Sequence, residues 1–413
     1  MLAMKFKARA LACAVVMMLP LVPAAFAAAA GPDGAAFYVA PDPLPAGGPG
    51  TVIWSRPLTG TMALPSAAKN ELLLYLSAGP DGTIVPVSGS LSIPKGTPPE
   101  GGWPVVVWTH GTTGLAPVCG PSLDTEAGPE HEYIAAIQPL LDGLIAEGFA
   151  IVATDYQGLG APAGLHPFLL GVPNGRNALD ILSAARTIEP AIGTRYAVAG
   201  HSQGGQADLF TAAEGPAFLP GFTLVGDIAM APGSHIKARL EALMASDKTE
   251  LALPYVLYVM RSYSTYDPSI KLSDILTSDT IARLPELEIE CMSYALTKTS
   301  FATAIAKDQF LAAPKLDALL AKAKENEPGL LKISVPTVIM QGKADVTVRP
   351  VDTDAVAKEL CQGGSTVEYR VYPGTDHDGV MKAGADYAMS WLKARFAGEK
   401  AMSNCDALPK AAP

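Results

Sequence analysis

The sequence predicts an α/β fold: a mostly parallel, doubly wound sheet with a helical insertion over its carboxyl edge. Three observations carry that prediction. Short apolar runs alternate with helical stretches from Pro94 onward. The runs are continuous rather than alternating, as expected of strands buried on both faces between helical layers. Between about Ser234 and Gly329 the alternation lapses into a helical pattern with no strand run. Composition permits such a core: 49% of the 413 residues are hydrophobic and 17% charged, whereas disorder needs low hydrophobicity and high charge. No repeat at a fixed period of about 20–50 residues argues for a solenoid or propeller.

The first residues read as an export signal. Lys5, Lys7 and Arg9 are basic, Ala10 to Leu21 is apolar, and small residues at Ala24, Ala25, Ala27 and Ala28 suit cleavage near Ala28. Leu11-Ala12-Cys13 faintly resembles a lipoprotein box but lacks an apolar run ahead of it. A retained anchor needs about twenty apolar residues, and Pro20 and Pro23 interrupt this run, so no stable membrane anchor is expected. Removing Lys5, Lys7 and Arg9 takes the 30 basic residues to 27 against 40 acidic, a net charge of −13. That balance excludes nucleic acid as a partner, because such binding rests on Lys and Arg contacts to phosphate. The expected organisation is a signal peptide over 1–28, a Pro- and Gly-rich irregular arm over 29–60, and the sheet domain over 61–413.

Within the domain, Leu72–Ser77 and Ile84–Ser92 predict edge strands. Buried strands are predicted at 104–108, 149–155, 196–199, 225–230, 337–340 and 367–372, and helices at 132–147, 175–186, 204–214, 353–360 and 383–395. The insertion at about 234–330 predicts a cap; Leu316, Leu319, Leu320 and Ala323 have helical spacing and read as packing. In such sheets chemistry gathers at the carboxyl ends of the strands.

Gly200-His201-Ser202-Gln203-Gly204 sits between a strand run and a helical stretch and is the chain's one G-x-S-x-G. A serine on a sharp strand-to-helix turn presents its hydroxyl above the sheet, and small neighbours permit the turn. Ser202 is therefore the candidate nucleophile, and it needs a base. Of six histidines, His377 follows the last strand run in a loop able to reach Ser202. His201 reads as packing and His110 as support for the oxyanion loop. His131, His166 and His235 read as surface or satisfied structural residues. Asp345 follows another strand run, 32 residues before His377, and is the candidate orienting carboxylate. Asp376 and Asp378 flank the histidine too closely to reach its ring, and Asp352 and Asp354 lie further into the next helix. The order Ser202, Asp345, His377 is that of α/β-hydrolases. The oxyanion hole is expected from the backbone N–H of Gln203 and from the His110-Gly111-Thr112-Thr113-Gly114 loop, at Thr112 in preference to Thr113. Leu253, Tyr255, Tyr258 and Met260 read either as an acyl-site lining or as cap core.

After the signal segment, Cys119, Cys291, Cys361 and Cys405 remain, an even number suggesting two disulfides from three possible pairings. No C-x-x-C, H-E-x-x-H or acidic Ca²⁺ loop occurs, and no metal is expected.

The motifs His110-Gly111-Thr112-Thr113-Gly114, Asp155-Tyr156-Gln157-Gly158-Leu159-Gly160, His166-Pro167 and Gly200-His201-Ser202-Gln203-Gly204-Gly205 together resemble the secretory lipases of the α/β-hydrolase superfamily, a group including fungal lipase A types and bacterial exported esterases. The resemblance runs from about residue 45 to 405. It implies a hydrolase core with a helical lid, ester hydrolysis without a cofactor, and a small-molecule or lipid ester as substrate. It also implies pairing Cys119 with Cys291 and Cys361 with Cys405, in a secreted or periplasmic protein. The same triad serves amidases, peptidases and acyltransferases, and a non-catalytic scaffold of this fold would usually lack the nucleophile or base.

Overall fold

Uninterrupted Val, Ala and Ile runs form strands whose side chains alternate between two buried layers. Strand β4 shows why: Val106 and Trp108 enter one core and Val105 and Val107 the other, as the two-residue period of a strand requires. The computed structural model describes residues 29–408; the expected signal peptide lies outside the described residues. The strands are β1 (Val52–Pro57), β2 (Ala67–Ala78), β3 (Ile84–Pro94), β4 (Trp103–Thr109), β5 (Ala150–Thr154), β6 (Ile192–His201), β7 (Thr223–Met230), β8 (Thr337–Gly342) and β9 (Val367–Tyr372). They form one sheet in the order β1-β2-β3-β5-β4-β6-β7-β8-β9. β1, β2, β3 and β5 pair antiparallel in succession, and all pairs from β5 across to β9 are parallel.

Helices α1 (His131–Ala146), α2 (Gly171–Ile188) and α3 (Gln203–Phe218) follow strands β4, β5 and β6. Between β7 and β8 come α4 (Ile236–Ala245), α5 (Ala252–Tyr266), α6 (Ser278–Arg283), α7 (Pro285–Ile289), α8 (Met292–Thr297) and α9 (Asp317–Glu325). α10 (Pro350–Gln362) and α11 (Gly379–Phe396) complete the core. α1 and α11 cover one face through Ile134, Ile137, Met381 and Trp391; α2, α3 and α10 cover the other through Leu182, Leu209 and Leu360. This is the doubly wound, mostly parallel architecture expected. β5 and β6 lie on opposite sides of β4, so the strand order reverses there and opens a crevice at the carboxyl ends of β4 and β6.

The 234–330 insertion contains no strand among the described residues. Its short helices have their own apolar centre, including Leu253, Leu257, Tyr258, Met260, Tyr263 and Phe301. Leu319 and Ala323 are buried there with Leu316 and Leu320 packed against them, so the helical spacing records packing. The arm over 29–60 is not irregular throughout: β1 lies within it. Its apolar run, Val52-Ile53-Trp54, is too short to stand out, and only Ile53 of the strand is buried; pairing with β2 supplies the remaining order. Disulfides join Cys119 to Cys291 and Cys361 to Cys405. No helix among the described residues is long and apolar enough to cross a membrane.

Candidate active site

The turn from β6 into α3 places Ser202 at φ 60° and ψ −118°, a region costly for a side chain and tolerated where the surroundings over-determine it. The flanking glycines explain the turn. A Cβ on Gly200 or Gly204 would collide with backbone oxygens, and one on Gly205 would stand 2.8 Å from the Met230 carbonyl oxygen. The Ser202 N–H donates to Met230 O at 2.9 Å and its carbonyl accepts from Gly233 N–H at 2.9 Å, which pins the elbow to the β7 end.

His377 Nε2 lies 2.9 Å from Ser202 Oγ, and His377 Nδ1 lies 2.7 Å from Asp345 Oδ2. Asp345 is buried. Its Oδ1 accepts the Thr347 and Val348 N–H groups at 2.8 and 2.9 Å, and Oδ2 accepts Gln341 Nε2 at 3.0 Å. Gln341 is held in turn by Thr353, whose hydroxyl donates to its Oε1 at 2.6 Å. The loops bearing Asp345 and His377 are joined directly: Lys343 N–H donates to Tyr372 O and Ala344 N–H to Thr375 O, both at 2.9 Å. Gly342 permits that approach, since a Cβ there would stand 2.5 Å from the Asp376 and Thr375 carbonyl oxygens. Of the other carboxylates, Asp376 accepts Gly379 N–H, Asp352 pairs with Arg349, and Asp354 meets the Tyr369 hydroxyl. Asp378, expected not to approach the ring, lies within 4.8 Å of a ring nitrogen of His377 and of His201, but of these carboxylates Asp345 alone is hydrogen-bonded to the His377 ring.

His201 does more than pack. Its Nε2–H donates to the His377 carbonyl at 3.0 Å, and its Nδ1 accepts from Tyr133 Oη at 3.1 Å. Tyr133 Oη itself accepts Gly111 N–H at 2.6 Å. Burial, reinforced by His377, pushes the His201 imidazole well below its ordinary range, so it is neutral. This relay ties the His377 loop to the loop after β4. Neither role of Tyr133 nor of His201 carries a sequence signal, because both depend on contacts across the fold.

The loop after β4 is fixed by buried polar groups. His110 Nδ1 meets Gly111 O at 2.6 Å, and burial lowers its pKa to about 4. Asp155 accepts from Ser88 Oγ at 2.6 Å and from both the N–H and Oγ of Ser122. His166 Nδ1 donates to Gln157 O at 2.9 Å while its Nε2 accepts from Gln203 Nε2 at 2.7 Å; burial lowers its pKa to about 3. The Gln203 side chain is thus turned away from Ser202. Thr113 is fully buried and its carbonyl accepts Met292 N–H at 2.8 Å, whereas Thr112 borders the cavity beside Ser202. His131 pairs with Asp124 at 2.8 Å.

Two compartments meet at Ser202. An inner one is bordered by Gln203, Phe168, Ile236, Val256, Val259 and Val348. An outer one is bordered by His377, His201, Glu130, Glu132, Tyr133 and Asp378. Thr112, Tyr255 and Thr347 line both. Of the apolar cap residues singled out in the sequence, Tyr255 reaches the cavity, while Leu253, Tyr258 and Met260 are cap core. Two groups offer three metal-type ligand atoms within 4.8 Å of one another, His201 with His377 and Asp378, and His235 with Glu327 and Glu359. The histidines of the first are already engaged in the relay and with Ser202 and Asp345.

Comparison with known proteins agrees with this architecture. Candida antarctica lipase A superposes with a TM-score of 0.74 at 18% identity, over 88% of this chain and 85% of that one. The rice cell wall degrading esterase LipA from Xanthomonas oryzae superposes with a TM-score of 0.69 at 19% identity, over 85% of this chain and 99% of that one. Lipase 5 of Candida albicans is 26% identical over 303 residues, 69% of this chain, and this alignment spans 62% of that protein's length. Residues 133–404, which make up well over half of the chain, match the family model for secretory lipases. The chain therefore belongs to the secretory lipase family and has the α/β-hydrolase fold.

Proposed function

We propose that this protein is an exported serine hydrolase of carboxylic esters, acting through an acyl-enzyme. The observation that carries the reading is the line Ser202 Oγ, His377, Asp345, with spacings of 2.9 and 2.7 Å, at the junction of two compartments. With Nδ1–H donated to Asp345, the His377 Nε2 lone pair faces the Ser202 hydroxyl and takes its proton as Oγ attacks the acyl carbon. The oxyanion forms toward the backbone N–H of Gln203, at the start of α3 where the helix dipole favours negative charge, and toward that of Thr112 in the loop after β4. His377 then returns the proton to the departing alkoxide, and water repeats the sequence on the acyl-enzyme. The acyl chain occupies the apolar inner compartment, which borders Gln203 but not His377; the alcohol occupies the outer one, which borders His377. Names of relatives support an ester substrate: a lipase 5, a lipase A and a cell wall degrading esterase. Two disulfides support an oxidising, extracytoplasmic location.

The test is turnover of p-nitrophenyl esters from acetate to palmitate by the purified mature protein, beside Ser202→Ala. Serine-dependent turnover is expected, and the chain-length profile separates esterase from lipase. A folded protein with no turnover and no labelling by a fluorophosphonate refutes the reading. Labelling without ester turnover transfers the nucleophile to amide or acyl-transfer chemistry.

A further inference from the structure

We propose that the outer compartment selects esters whose alcohol portion carries a positive charge, such as a quaternary or protonated amino alcohol. This rests on the hydrolase reading above, which puts the leaving group on the side of His377.

Glu130, Glu132 and Asp378 all border this compartment, and no Lys or Arg does. Glu130 is only 8% exposed. Its Oε1 accepts the Ser293 N–H at 2.7 Å, and neither it nor Glu132 has an ion-pair partner among the described residues. Two imidazoles lie near Asp378: His201, with Nε2 4.0 Å away and neutral, and His377, whose ring lies within 4.8 Å. A nearly buried carboxylate without a counter-charge is costly to ionise, and burial accordingly pushes Glu130 up to about 7. A cation seated in the compartment supplies the missing counter-charge. Tyr133 and Tyr255 add aromatic surface to the same wall, and aromatic faces attract ammonium groups. Burial holds both phenols above their ordinary range, so they stay uncharged. The inner compartment contrasts with this: its one guanidinium, Arg239, lies 3.8 Å from Asp352, and the remaining lining is largely apolar.

The carboxylates have a competing explanation, that they merely support the imidazolium formed on His377 during turnover. A charged substrate and its neutral isostere separate the two roles, because support of the imidazolium serves both substrates equally. The experiment compares kcat/KM for butyrylthiocholine and S-(3,3-dimethylbutyl) thiobutyrate, in which carbon replaces the ammonium nitrogen, with p-nitrophenyl butyrate as an independent check of hydrolase activity. The wild type is expected to favour the cationic thioester by about tenfold or more at low salt, a ratio that shrinks toward one as salt screens the pair. Glu130→Gln keeps an acceptor for Ser293 N–H, and the Glu130→Gln/Glu132→Gln double variant is expected to lower the ratio severalfold while its melting temperature stays near wild type. A wild-type ratio of one or below overturns the proposal, as does a ratio unchanged in the double variant. Absence of p-nitrophenyl butyrate turnover by the wild type would instead remove the hydrolase reading beneath it.

Discussion

Asp345→Asn is the sharpest test of the assignment of the orienting carboxylate. The side chain accepts four hydrogen bonds: Thr347 and Val348 N–H on Oδ1, and Gln341 Nε2 and His377 Nδ1 on Oδ2. An asparagine that keeps its oxygen toward the two backbone amides must point its NH₂ at Gln341 and His377. Its N–H then donates to His377 Nδ1, which shifts the ring proton to Nε2, where it faces Ser202 and blocks proton uptake. The flipped amide leaves two backbone N–H groups facing a donor, and each buried group left unmatched costs about 1–3 kcal/mol, so the first arrangement wins. A base locked in the wrong tautomer loses about 10⁴ in kcat, or roughly 5.5 kcal/mol of transition-state stabilisation. The assay is kcat on p-nitrophenyl butyrate at neutral pH, with thermal melting to establish folding. Asp376→Asn serves as control, because Asp376 accepts from Gly379 N–H and does not touch His377. Retention of more than about a tenth of the wild-type kcat by Asp345→Asn would refute the reasoning.

Three further outcomes follow from the same structure. Gly204→Ala drives a Cβ into the Thr109 carbonyl oxygen and to 2.7 Å from that of His110; a loss of about 3 kcal/mol or more is expected in denaturant unfolding, and a loss below about 1 kcal/mol would contradict the packing argument. The Cys119→Ala/Cys291→Ala variant opens a loop spanning a sequence separation of 172, which chain entropy values at about 5 kcal/mol; an unchanged unfolding midpoint would show that the loop is not what the bridge constrains. Asp227 is buried on β7 with no well-formed hydrogen bond to either carboxylate oxygen among the described residues, and burial, only partly opposed by Thr337 and the Ile228 N–H, raises its pKa from 3.8 to about 8. The fold therefore holds a proton there that the unfolded chain releases above about 4, so this contribution is intact below about pH 4 and lost as pH rises through about 8. Asp227→Asn should flatten the decline in melting temperature between pH 5 and 8, and parallel profiles for variant and wild type would sink the assignment.

The sheet was legible because its central strands are buried on both faces: no polar residue relieves Val105–Trp108 or Ala150–Ala153, whereas the edge strand Val367–Tyr372 carries Glu368 and Arg370 among its apolar residues. β1 was not legible, because Val52-Ile53-Trp54 owes its extended form to pairing with β2 rather than to a pattern of its own. The serine elbow was legible because G-x-S-x-G between a strand run and a helical stretch is a local pattern, although the backbone that Gly204 and Gly205 admit belongs to Thr109, His110 and Met230. His201 was misread as packing for the opposite reason. Its bonds go to His377 O and Tyr133 Oη, 176 and 68 residues away, and no spacing rule connects such residues. The acidic outer compartment is of the same kind, because Glu130 and Glu132 precede and open α1 while Asp378 precedes α11, and only the packing of α1 beside α11 brings them to one wall.

The cap does not sit on the core as a separate lid. Cys119 is bonded to Cys291, Gly114 forms a bridge with Cys291, and Met292 N–H donates to Thr113 O, so the start of α8 is fixed to the loop that carries Thr112. Ser293 extends the attachment, with its N–H on Glu130 and its hydroxyl on Pro129 O. The Gly111 N–H at the other end of that loop reaches the His377 carbonyl through Tyr133 and His201. One covalent bond and a short chain of hydrogen bonds therefore connect the cap, the Thr112 loop and the backbone of His377. A displacement of α8 must be felt at Thr112, because the disulfide and the Met292 bond hold the loop on both sides of Gly114. On the proposed reading, acceptance of an alcohol group against the α8 wall and the geometry of the oxyanion donors are consequently one mechanical problem, and substitutions that shape the outer compartment are expected to alter turnover as well as binding.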